Sequence, residues 1–138
     1  MRFLAAILAV LALGGCSLTK KQEKSPFTGT KAQVADVFST LQSASRSADK
    51  KKICNQILST ALAKSYGGPA GCKDRVSDIL DDADPTELQM KPLSITLGPG
   101  ARPTTATARV QSGSGKNPQH GTVALVKQGG SWRIDSFG

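Results

Sequence analysis

Apolar residues along this chain change their spacing once, around Asp84-Pro85, and that change decides the fold class. Before it they recur every three or four positions, the signature of one face of a helix; after it they recur every second position, the signature of a half-buried strand. Val34, Val37, Phe38, Leu41 and Ala44 form one stripe of an amphipathic helix that begins near Thr30, with Thr28 or Thr30 as its N-cap. Ser47 to Lys52 interrupts the stripe. Asp49 then offers an N-cap for a second helix, whose apolar face is Ile53, Cys54, Ile57, Leu58 and Ala61. Tyr66-Gly67-Gly68-Pro69 ends that helix and starts a third, with Cys72, Val76, Ile79 and Leu80 as its stripe.

Beyond Pro85, Leu93, Ile95 and Leu97 alternate up to a Gly98-Pro99-Gly100 turn. Ala106, Ala108 and Val110 alternate with Thr105, Thr107 and Arg109, and Ser112 to Gly121 reads as a loop. Thr122 to Lys127 forms a compact apolar strand. After the Gln128-Gly129-Gly130-Ser131 turn, Trp132, Ile134 and Ser136 alternate with Arg133, Asp135 and Phe137. Trp132 and Ile134 should therefore cover Val37, Phe38 and Leu41. The expectation is α+β: three N-terminal helices packed on an antiparallel meander of about four strands.

The first residues give an address. Arg2 is followed by the unbroken apolar run Phe3 to Leu13, too short to cross a hydrocarbon core of about 30 Å as a helix. Lys20-Lys21-Gln22-Glu23-Lys24-Ser25-Pro26 could not stay in a core, so the run reads as a signal peptide rather than part of the domain. Leu13-Gly14-Gly15-Cys16 resembles the lipobox of bacterial lipoproteins, in which the cysteine is lipidated and becomes the mature N-terminus. That resemblance implies a signal peptide over 1–15, an acyl-bearing Cys16, a flexible tether over 16–29 and a domain over 30–138. It places the protein in the cell envelope, on the extracytoplasmic side of a membrane.

The net charge of +8 raises nucleic acid as a partner. The compartment and the lack of an aromatic-basic stripe argue against it, and a basic surface beside anionic headgroups is the plainer reading. Of the three cysteines, lipid consumes Cys16 and leaves Cys54 and Cys72 in an oxidising compartment. A disulfide is the leading reading, against two buried thiols or a metal pair, and both residues lie on core-facing stripes. Metal is poorly served, because His120 is the one histidine and sits in a turn-like stretch. Asp78, Asp81 and Asp82, with Asp84 beyond, form a carboxylate cluster without EF-hand spacing and read as a solvated helix end.

The order of elements, the stripe around Val37-Phe38-Leu41, the Cys54 and Cys72 pair and the closing Gly129-Gly130-Ser131-Trp132-Arg133-Ile134-Asp135 hairpin resemble the nuclear transport factor two-like superfamily, over about Thr30 to Phe137. The resemblance implies a curved sheet wrapped around the helices like a cone. It also implies either a domain without catalysis or an isomerase- or cyclase-like enzyme with an aspartate base. Asp36 and Asp135 are the candidates for that base. No Ser-His-Asp or Cys-His set forms here. The reading is a membrane-anchored, non-catalytic binding module without cofactor or metal. Its partners are membrane lipid through Cys16, and an envelope protein or a small apolar ligand.

Overall fold

The computed structural model describes residues 25–83, 89–113 and 116–138. The leader, Cys16, most of the tether and Asp84 lie outside the described residues. Helices α1 (Gly29–Arg46), α2 (Lys50–Lys52), α3 (Thr60–Ser65) and α4 (Gly68–Asp82) precede strands β1 (Met90–Leu97), β2 (Thr105–Ser112), β3 (Gln119–Gln128) and β4 (Ser131–Phe137). The strands form one antiparallel sheet in chain order. The chain is α+β, with its helices ahead of a four-stranded sheet.

The first stripe packs as its spacing predicts: Val34, Phe38, Leu41 and Ala44 are buried, and Val37 packs against them. Thr28 occupies the N-cap position of α1 without making a side-chain cap bond. Trp132 and Ile134 face that stripe inside the same core. The β3–β4 turn has two residues, Gly129 and Gly130, both at positive φ, the conformation that a tight hairpin asks of both central positions.

The second helix differs from expectation, because it is broken. Asp49 does cap it, accepting from Lys52 N at 3.0 Å. The chain then widens into a π turn, Ile53–Ile57, and Leu58 is extended. Ser59 restarts the helix as the N-cap of α3, accepting from Leu62 N at 3.0 Å. The break serves the sheet. Leu58 pairs in parallel with Ile134, and Ser59 N donates to Ile134 O at 2.7 Å, which covers part of the open edge of β4. Arg133 caps the π turn by donating to Asn55 O at 2.6 Å, a cation where helix carbonyls lack partners. Ser59 Oγ also donates to Asp135 Oδ1 at 2.7 Å. Ser59→Ala removes both bonds and is expected to cost about 1–2 kcal/mol in urea denaturation.

Cys54 in the π turn and Cys72 in α4 are joined by a disulfide, with 6.1 Å between their Cα atoms. Beside Cys72, Gly71 lets the first turn of α4 pass close to the end of α3, because a Cβ there would run into the Tyr66 carbonyl.

Two bulges shift the strand faces away from simple alternation. On β1, Pro92 pairs with Val110 and Ser94 with Arg109, so Leu93 is the extra residue and is exposed, whereas Ile95 stays buried. On β4, Ile134 pairs with Leu125 and Ser136 with Ala124, so Asp135 is the extra residue. Phe137 thereby lies opposite buried Val123, on the face it shares with Trp132 and Ile134 and not with Arg133. The stretch expected as a loop is also shorter, since β2 runs to Ser112 and β3 begins at Gln119.

Candidate functional site

Phe137's change of face builds a cleft. From α1 come Leu41 and Ser45, from the π turn and its exit Ile53 and Leu58, and from the end of α3 Tyr66. Val76, Ile79 and Leu80 of α4 face Met90 and Phe137, at the start of β1 and the end of β4. The cleft holds about 100 Å³. Ile79 is 41% exposed and Phe137 43%, so two of the three large exposed apolar residues among the described residues sit on one cleft. Exposed apolar surface gathered in one place marks a contact site more often than scattered residues do.

Its size limits what enters. An apolar cavity of about 150 Å³ accommodates benzene, so this space suits the end of an alkyl chain or an aliphatic side chain. Among the described residues, the Tyr66 and Ser45 hydroxyls are the side-chain polar groups of the lining, and the rest of it is apolar. The arrangement can receive an apolar group.

A second cleft, of about 640 Å³, opens between α1 and the β3–β4 hairpin. Gln33, Asp36 and Thr40 of α1 line one side, Gln56 of the π turn another, and Lys127, Ser131, Trp132 and Arg133 the third. The two clefts have no lining residue in common.

No family model and no curated protein matches the chain. Among solved structures, the chain is similar to the intermembrane space region of the chloroplast protein ARC6. The identity is 12%, over 82% of this chain and 97% of that one, and the TM-score is 0.49.

Of the candidate base residues, Asp36 is exposed in the polar cleft, and Asp135 accepts from Ser59 Oγ at the edge of β4. His120 stands exposed on β3 opposite Gln111, rather than in a turn. Asp78, Asp81 and Asp82 are exposed, and among the described residues no three ligating groups gather. Cys54 and Cys72 meet as expected, whereas Cys16 lies outside the described residues. The apolar cleft itself was not legible in advance, because strict alternation along β4 puts Phe137 on the opposite face.

Proposed function

We propose that the protein is an envelope lipoprotein, tethered through acylated Cys16, whose domain binds a small apolar group and performs no catalysis. The cleft rimmed by Ile79 and Phe137 carries this reading. Leu13-Gly14-Gly15-Cys16 supports the anchor, and the Cys54–Cys72 disulfide suits an oxidising compartment. The resemblance to nuclear transport factor two-like domains supports the same assignment, a sheet curved around helices with an apolar space between them. Among the described residues no helix is long and apolar enough to cross a membrane.

The expected affinity explains why an anchor is useful. Burying about four methylenes contributes roughly 3 kcal/mol, which alone gives a dissociation constant of about millimolar or weaker. Such a site fills when its ligand is held at the same membrane, where a short tether raises the effective concentration to the millimolar range. The apolar group is thus a membrane-borne chain or the side chain of a neighbouring envelope protein.

Two measurements test this. Cys16→Ser should release the domain from membranes on fractionation; a variant that still carries a lipidated mass contradicts the anchor. Titration with 1-octanol should move the methyl resonances of Ile79 and Leu80, and Ile79→Asp should weaken binding at least about tenfold. An unchanged affinity in that variant contradicts the cleft.

A further inference from the structure

The second cleft has walls of opposite charge. Asp36 stands on the α1 wall beside Gln33 and Thr40, and Lys127 and Arg133 stand on the hairpin wall. Trp132 lines the same cleft, is only 6% exposed, and among the described residues its Nε1–H meets no acceptor. Arg133 donates through Nη1 to Asn55 O and Leu58 O, and among the described residues its buried Nε–H meets no acceptor either. A buried donor without a partner costs about 1–3 kcal/mol, and native chains keep few of them. The Trp132 donor, on the inner face of β4 opposite Lys127, points to a ligand that supplies an acceptor at this cleft, and Arg133 adds its charge from the outer face.

We propose that this cleft binds a small zwitterion, its anionic oxygens toward Trp132, Arg133 and Lys127 and its ammonium group toward Asp36. An anion alone would meet the Asp36 carboxylate, and a cation alone would meet Lys127 and Arg133. A ligand bearing both charges on a short scaffold, such as an amino acid or a phosphoethanolamine group, complements both walls. The space of about 640 Å³ falls within the range of small-molecule sites. Because Trp132 Nε1 is closed to water, an acceptor reaches it only when the hairpin carrying it shifts. Binding is therefore read at the indole itself.

The chain has one tryptophan, so its indole N–H gives a single nitrogen–proton signal. The isotope-labelled chain in maltoside micelles is titrated with β-alanine and with O-phosphoethanolamine, and with inorganic phosphate and ethanolamine as single-charge controls. Either zwitterion should move the indole proton downfield saturably, with the controls about tenfold weaker or more. Asp36→Asn and Lys127→Gln, both at exposed positions, should each weaken binding by about tenfold while leaving the fold intact. The same chain in nanodiscs with and without phosphatidylethanolamine separates the sources. A shift with the free probes assigns a soluble ligand, and a shift with the lipid alone assigns a headgroup. An indole signal that no zwitterion moves, one that phosphate moves equally well, or an Asp36→Asn variant with unchanged affinity overturns the proposal.

Discussion

Phe38→Ala is expected to cost about 3–5 kcal/mol, the loss usual for removing a fully buried ring. Phe38 is 1% exposed on α1, in the core with Trp132 and Ile134 of β4 and Val34 and Leu41 of its own helix. The ring belongs to the helix stripe on which the sheet packs, so its removal opens a void that neither layer closes alone. Natural domains are stable by about 5–15 kcal/mol, so such a loss takes much of the total. Urea denaturation should show a large fall in midpoint with little change in slope. A loss below about 1 kcal/mol would mean that the helix layer does not depend on this contact.

Replacing Cys54 and Cys72 together by alanine is expected to destabilise the domain by about 2–5 kcal/mol. The bridge spans a sequence separation of 18, and a loop of about that length corresponds to roughly 3 kcal/mol in the chain-entropy description. It also ties the π turn to α4, and that turn presents the Asn55 carbonyl that holds Arg133. Non-reducing peptide mapping should find the two cysteines linked, and reductant should lower the wild-type urea midpoint by as much as the double substitution does. Recovery of both as free thiols after trapping under native conditions would contradict this.

Much of the fold was legible because spacing reports burial wherever an element is regular. The α1 stripe, the alternation of Ala106, Ala108 and Val110, and the buried Trp132 and Ile134 all follow from period alone. What escaped depends on partners distant in sequence. Leu93 and Asp135 are single extra residues in one strand, and an extra residue moves everything beyond it to the other face. Nothing local to Ser-Phe at the end of β4 reveals that shift, and with it Phe137 turns toward Ile79 and Tyr66. The break at Leu58 has a local signal that was available, since Ser59 ahead of Thr60-Ala61-Leu62 is a good N-cap. Its cause is tertiary, for the extended pair covers an edge that belongs to β4. The surroundings of Asp36 and Asp135, an open cleft for one and a bond from Ser59 for the other, are likewise set by the tertiary fold.

An apolar chain end seated in the cleft between α1, α4 and the ends of β1 and β4 should give intermolecular nuclear Overhauser effects between 1-octanol and the labelled chain. The terminal methyl should show cross-relaxation to Leu41, Ile79, Leu80 and the Phe137 ring, all of which line the cleft. Cross-relaxation confined to Leu93, the exposed apolar residue at the β1 bulge, or none with the alcohol at saturation, would mean that the cleft is not the binding site.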